Sequence, residues 1–336
     1  MRILLTGGAG YLGSVLLPKL LARQHDVRVV DNGYFGFAHL KNLLPHIELV
    51  REDLCRINSD FAFARTLLEG VDVVIHLAAM SNDPSAELDP SVTRTVNTHT
   101  TVTLAKAAKA MGVRFIFSSS CSVYGGSEKL IDENGKRAPL TTYAVSKMEA
   151  EDELLKLVDK NWNPIILRNG TLFGFSPRMR FDLVVNTFSL FSCLKNEIKV
   201  FGAGDQWRPF LHVSDCARAF LFFAEKPDCE HIIYNVAHEN MTVTQVADIM
   251  QSLNPSLKVV VNREGGTDHR NYRVVFDRLK KTGFQTRVSV IMGAEEIQDA
   301  ILTGAIPDPE SVLYQNVKWL KQLGLQPPRG LHLKVA

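Results

Sequence analysis

The feature that most constrains this chain is a glycine run directly behind an apolar strand. Ile3–Thr6 is followed by Gly7-Gly8-Ala9-Gly10-Tyr11-Leu12-Gly13, and helical periodicity then continues to Ala22. Strand, tight turn and helix start together make an anion site, because the first helical N–H groups lack partners and the helix dipole favours negative charge there. In the G-x-x-G-x-x-G pattern, Gly7 permits the turn, Gly10 lets a diphosphate approach the backbone, and Gly13 lets the helix pack closely. Val27–Asp31 reads as a second strand ending in Asp31, 18 residues beyond Gly13. A carboxylate there accepts hydrogen bonds from ribose hydroxyls and repels a 2′-phosphate, so the pattern favours NAD over NADP.

Two more runs, Val71–Ala78 and Val113–Ser118, are apolar throughout rather than alternating. That is expected of parallel strands covered by helices on both faces. Ser91–Met111 reads as a helix, opened by Asp89-Pro90 and stopped by Gly112. Pro18 falls inside the first helix and predicts a kink. From Gly170 to Pro209 the pattern is loop-rich; Ser214–Lys226, Thr242–Leu253 and Glu310–Leu323 read as helices, and Ile232–Val236 as a strand. The expectation is an α/β chain with a Rossmann-type doubly wound parallel sheet and a smaller C-terminal substrate-binding α/β domain. At 336 residues two domains fit, residues 1–167 and 168–336, with 208–240 returning to the first.

Composition narrows the partners. A net charge of +2 with no basic run gives no electrostatic footprint for nucleic acid. The five cysteines form no C-x-x-C pair, which argues against a disulfide framework or a structural zinc and for a reducing compartment. No stretch approaches 18 apolar residues, and the apolar run Ile3–Leu5 is too short for a secretory signal, so no membrane partner and a cytoplasmic location are expected. No histidine pair has metal spacing, so no metal is expected, and His76 and His212 read as structural.

The fourth strand ends in Ser118-Ser119-Ser120-Cys121-Ser122-Val123-Tyr124, and Tyr143-Ala-Val-Ser-Lys147 follows on a helical segment, Tyr143–Val158. Tyr143 and Lys147 share one helix face, where an ammonium beside a phenol is expected to lower the phenol's pKa. A serine hydroxyl at the strand end can hold a substrate hydroxyl for such a base. With these motifs on the page, the chain resembles the extended short-chain dehydrogenase/reductases of the NAD-dependent sugar-nucleotide epimerase/dehydratase family. The likeness takes in TGGAGYLG, Asp31-Asn32, Asp53-Leu54, His76-Leu-Ala-Ala79, Asn97, YAVSK, Leu167–Gly174 and Trp207–Val213.

By that resemblance Tyr143 is the general base, Lys147 holds the nicotinamide ribose, and Ser120 holds the substrate hydroxyl. The cofactor residues it implies, with the glycine-loop reading, are Gly7, Gly10, Tyr11, Leu12, Gly13, Asp31, Asn32, Asp53, Leu54, Leu77, Ala78, Ala79, Asn97 and Ser118, besides Tyr143 and Lys147. Arg208 matches the arginine that grips the nucleotide diphosphate. Arg178, Arg180 and Arg270 are further candidates because guanidinium forks match phosphate and sugar oxygens; Thr171 stands where many relatives have an asparagine. The resemblance also implies a homodimer built on the 143–158 and 91–111 helices.

Departures bear on the reaction. The Asp-Glu pair of the family's 4,6-dehydratases is Cys121-Ser122 here, and the cysteine of its 3,5-epimerases is one residue displaced. Oxidation at the sugar C4 remains, as a 4-epimerase or as a 4-dehydrogenase releasing a keto sugar; the strings Ser176–Asp182 and Asp268–Arg273 also resemble a GDP-heptose 4-dehydrogenase subset. A non-catalytic NAD-binding regulator is the alternative from another class, and it would need none of Ser120, Tyr143 and Lys147.

Overall fold

The computed structural model describes residues 1–263 and 270–325, the Glu128 side chain aside. In chain order the strands are β1 (Arg2–Thr6), β2 (Asp26–Asp31), β3 (Glu48–Arg51), β4 (Val73–His76), β5 (Arg114–Ser120), β6 (Gly126–Ile131) and β7 (Ile165–Asn169). Then come β8 (Thr171–Phe173), β9 (Glu197–Phe201), β10 (Trp207–His212), β11 (Ile233–Val236), β12 (Glu239–Thr242), β13 (Lys258–Asn262) and β14 (Asn271–Val274). Seven form one parallel sheet in the order β11-β7-β5-β4-β1-β2-β3. The order reverses direction at β1, so the loops after β1, β4 and β5 open a crevice at the carboxyl ends of the strands, the expected ligand position in such sheets.

The unbroken apolar runs have a direct cause. Ile3 and Leu5 enter the cluster that holds Leu16 and Leu20 of helix Gly13–Ala22 and Phe220 and Phe223 of helix Val213–Glu225. Leu4, between them, enters the opposite cluster, with Leu104 of helix Thr100–Ala110 and Leu154 of helix Thr142–Lys156. Successive side chains point to opposite faces, and both faces are dry. In the 208–240 stretch, helix Val213–Glu225 packs on the first helix and β11 joins β7, whereas β10 lies in a separate sheet, β12-β10-β8. Two smaller pairs, β13-β9 and β14-β6, complete the outer part.

Three local expectations change. The 91–111 helix starts at Pro90, capped by the Asp89 side chain on the amides of Ser91 and Val92, but Thr95–His99 widens into a π-turn before Thr100–Ala110. The Gly170–Pro209 stretch contains a helix, Val184–Leu194, that has no side-chain cap to signal its start. Its Val185 and Phe188 enter one core cluster and Leu190 another, so burial on two sides erases the amphipathic stripe. Glu310–Leu323 is broken: Gln315 is extended (φ −116°, ψ 91°) between a 3-10 turn at Val312–Tyr314 and helix Asn316–Gln322. The first helix runs from Gly13 through Pro18 to Ala22.

Candidate active site

The crevice is a cavity of about 1300 Å³, above the ~300–1000 Å³ typical of one drug-sized ligand and large enough for two. Every site residue expected from the sequence lines it except Asn97.

At one end lies the glycine loop. Gly7 has φ +71°, and a Cβ there would stand 2.8 Å from the Ala78 amide nitrogen; at Gly13 it would stand 2.4 Å from the Gly7 carbonyl. A Cβ on Gly10 would meet only the Gly7 carbonyl, at 3.2 Å, so its open side faces cavity space. The helix starting at Gly13 has no side-chain cap; the Ser14, Val15 and Leu16 amides bond to the carbonyls of Gly10 and Leu12, and the Gly13 amide at its very start is left for a ligand. Asp31 accepts from the amides of Ala9 (3.0 Å) and Gly33 (2.9 Å), which ties the loop to the end of β2, and burial raises its pKa. An uncapped helix end, an open glycine and a braced carboxylate in a cavity of this volume fit a dinucleotide. Asn97 sits behind the wall: fully buried in the π-turn, it accepts from the Met80 amide (2.8 Å) and donates to the Ser146 hydroxyl (3.0 Å). It braces the wall instead of lining it, because the π-turn carries its side chain toward the 142–156 helix.

At the centre, three serines of β5 meet three successive turns of helix Thr142–Lys156. The Ser120 hydroxyl lies close enough to the Tyr143 phenol to act on its pKa, the Ser118 carbonyl accepts from Lys147 Nζ (2.8 Å), and the Ser119 hydroxyl donates to Glu151. Tyr143, Lys147 and Glu151 recur every four residues and so share a face. Thr141 caps this helix through the Ala144 amide, and its own hydroxyl bonds to Asp83. Ser120 is fixed in turn by the Ser122 amide (3.1 Å).

The electrostatics differ from expectation. Lys147 Nζ lies 5.9 Å from the Tyr143 ring centroid and is spent on the Ser118 carbonyl, so it does not bring the phenol down. Burial, then the Asp83 charge, raise the Tyr143 pKa, while Ser120 and Arg180 act against that rise. Burial also lowers Lys147 to about 7, opposed by Glu151. Desolvation exceeds the pairwise attraction because both groups are removed from water.

The candidate substrate residues separate into two groups. Arg180 makes a two-pronged bond to Asp182 (2.9 and 3.0 Å) and lies near enough to Tyr143 to feel its charge. Arg208 donates to the carbonyls of Trp207 (2.7 Å) and Arg270, with its guanidinium 5.6 Å from the Tyr272 ring, and Arg270 pairs with Asp83. Thr171, on β8, lines the same region. Arg178, expected with these, lies instead beside Asp31 and Phe35 at the glycine-loop end. Asp268 and His269 lie outside the described residues.

Sequence reading gave no role to Asp83, Asp182, Tyr272 and Asn316, all in the cavity wall, although Asp182 and Tyr272 lie within the strings Ser176–Asp182 and Asp268–Arg273. None belongs to a spacing motif; the Asn82 cap and Pro84 around Asp83 signalled only a helix start. Cys121 is fully buried with its thiol on the Arg168 carbonyl (3.1 Å), and burial raises its pKa. His76 is held by the hydroxyls of Thr6 (2.7 Å) and Thr101 (2.8 Å), with burial lowering it to about 3, and His212 bonds to Glu296 (2.8 Å). Among the described residues all five cysteines are free, no acid, histidine or cysteine cluster could hold a metal, and no helix is long and apolar enough to cross a membrane.

Known proteins share this architecture and sequence. The uncharacterized UDP-glucose epimerase YtcB of Bacillus subtilis is 32% identical over 269 residues, 75% of this chain and 82% of that protein. The dTDP-D-glucose 4,6-dehydratase of Mus musculus is 31% identical over 258 residues, 73% of this chain and 71% of its own. The UDP-glucose 4-epimerase of Thermotoga maritima, solved with UDP-glucose, superposes with a TM-score of 0.80 at 24% identity, covering 91% of this chain and all of that one, a likeness of fold. The UDP-glucuronic acid 4-epimerase of Bacillus cereus, solved with UDP-glucuronic acid and NAD, gives 0.76 at 25% identity, covering 90% and 99%. With the NAD dependent epimerase/dehydratase family matching residues 3–237, the chain belongs to that family and is an NAD-dependent enzyme of the extended short-chain dehydrogenase/reductase type.

Proposed function

We propose that this enzyme oxidises C4 of a nucleotide-diphosphate sugar and re-reduces it from the other face, as a sugar-nucleotide 4-epimerase. The observation that carries the reading is the Ser120–Tyr143–Lys147 face, set in one cavity between the glycine loop and Arg208. Bound NAD supplies the hydride acceptor and, in the return step, the donor.

Tyr143, which must first ionise against the positive charge the oxidised cofactor would bring, takes the proton from the C4 hydroxyl as the hydride leaves C4, and gives it back on re-reduction. Ser120, fixed by the Ser122 amide, orients that hydroxyl. Lys147 holds the cofactor ribose. The glycine-loop amides and the braced Asp31 hold the dinucleotide. Arg208, with Arg180 and Arg270 kept in place by Asp182 and Asp83, faces the nucleotide-sugar end. Cys121 is buried with its proton held, so it offers no acid for an elimination, which favours simple oxidation at C4 over 4,6-dehydration.

The test is incubation of the purified protein with UDP-, GDP-, dTDP- and CDP-sugars, following absorbance of reduced nicotinamide and product stereochemistry. Epimer without net NADH supports the reading; stoichiometric NADH with a 4-keto sugar replaces it by a 4-dehydrogenase. Loss of turnover in Tyr143→Phe with NAD still bound supports catalysis, and unchanged biological output in that variant supports the regulator. A homodimer through the 100–110 and 142–156 helices belongs to the same proposal, although Leu154 and Leu155 pack inward against the sheet and leave the polar outer faces for any partner.

A further inference from the structure

Arg178 is 3% exposed, yet among the described residues it makes no ion pair, and its Nε is buried without a hydrogen-bond partner. A buried guanidinium costs free energy unless an anion or a full set of acceptors meets it. Its protein contacts fix it without neutralising it. The Cζ lies 3.6 Å over the Phe35 ring, and Nη2 donates to Asn316 Oδ1 at 2.6 Å. Burial, with Arg180 second, pulls its pKa down to about 9, while Asp182 and then Asp31 act the other way.

The approach to the glycine loop is built. Two residues earlier, the Ser176 hydroxyl donates to the Tyr11 carbonyl (2.8 Å), and the Arg178 amide donates to that same hydroxyl (3.3 Å). Arg178 also lines the cavity together with Gly10, Tyr11 and Asp31. Asn316 is 2% exposed and opens a helix whose Trp319 Nε1 donates to the Tyr34 carbonyl (2.5 Å). The C-terminal helix is thereby fastened to the loop after β2.

We infer that Arg178 is a cofactor-binding residue that pairs with the diphosphate of the dinucleotide across from the glycine-loop amides, with Phe35 and Asn316 holding it there. The second half of the chain and its last described helix then clamp a cofactor otherwise bound by the first half alone. The inference concerns NAD and is independent of which sugar is turned over.

The test uses the full chain and two probes. NADH dissociation constants are measured by fluorescence across ionic strength, and binding of UDP, GDP, dTDP and CDP by thermal shift. Arg178→Gln is expected to weaken NADH at least tenfold and flatten its salt dependence, with Arg178→Lys recovering part of both. Asn316→Ala is expected to weaken NADH severalfold, and nucleoside diphosphate binding stays at the wild-type level throughout. Asn316→Ala, which keeps the charge, decides the matter if Arg178→Gln does not fold. NADH affinity within twofold of wild type in the variants that fold overturns the inference, as does a loss confined to the nucleoside diphosphates. The latter returns Arg178 to the substrate and leaves the epimerase proposal standing.

Discussion

Replacing Arg168 by leucine tests whether the catalytic face is held by a buried charge pair. Arg168 on β7 and Glu151 on the 142–156 helix are 2% and 0% exposed, and are joined at 2.6, 3.0 and 3.2 Å. Arg168 also donates to the Tyr124 hydroxyl (2.8 Å) and the Glu133 carbonyl (3.1 Å). Removing the guanidinium strands a carboxylate whose remaining partners are the Ser119 hydroxyl and Arg137 at 3.3 Å. Breaking such a pair costs about 3–5 kcal/mol, whereas replacing both partners with apolar groups is often neutral. An unfolding entropy of ~2.1 cal/mol/K per residue over this chain length makes that a fall of roughly 4–7 °C in Tm.

Calorimetry of Arg168→Leu, Glu151→Leu and the double variant closes a double-mutant cycle. The double variant is expected to recover at least half of the loss, the remainder reflecting Tyr124, Ser119 and Glu133 without their partners. A single variant within 1 °C of wild type, or a double variant no better than Arg168→Leu, would refute the argument. Activity adds a second reading. Because the Ser119–Glu151 bond holds β5 to the catalytic helix, Glu151→Gln in the epimerase assay is expected to lower kcat more than it raises KM.

Lys147→Met should raise Tm at neutral pH while abolishing turnover. Below about pH 7 both folded and unfolded chains carry the Lys147 charge and its burial penalty is complete; the penalty shrinks as pH rises from 7 toward the ordinary lysine value, so the variant's advantage in a pH series of melts must fade over that window. Gly13→Ala should cost NAD binding and stability together, since its Cβ would stand 2.4 Å from the Gly7 carbonyl and 2.7 Å from the Gly8 Cα; retained NAD after gel filtration would count against the packing argument. Asn97→Ala should lower NAD affinity only through the Met80–Ser146 brace, by less than tenfold in the NADH titration. Sedimentation at micromolar concentration should give twice the 37.5 kDa chain mass, and a monomer ends the dimer proposal.

What was readable in the sequence is what local chemistry fixes. Gly7, Gly13 and Asp31 advertise a turn, a close contact and a charge at set spacings, and β1, β4 and β5 show their burial as unbroken apolar runs because helices cover both faces. What was not readable depends on long-range contact. The helix 184–194 is buried on two sides and carries no stripe to find. The π-turn at 95–99 changes which way Asn97 points without leaving a mark in composition. The Tyr143–Lys147 spacing was plain, but its electrostatics depend on Asp83, which is 60 residues earlier in the chain, and on a carbonyl at Ser118 that takes the lysine. Arg178 shows the same division most sharply. Its neighbourhood with Arg180 suggested one shared role, yet two residues of chain are enough to give the two guanidinium groups different partners, Asp182 for one and Asn316 with Phe35 for the other, although Arg178 still feels its neighbour's charge. A motif therefore gave the residue types and the cavity they line, while the partner that each side chain meets was set by the fold.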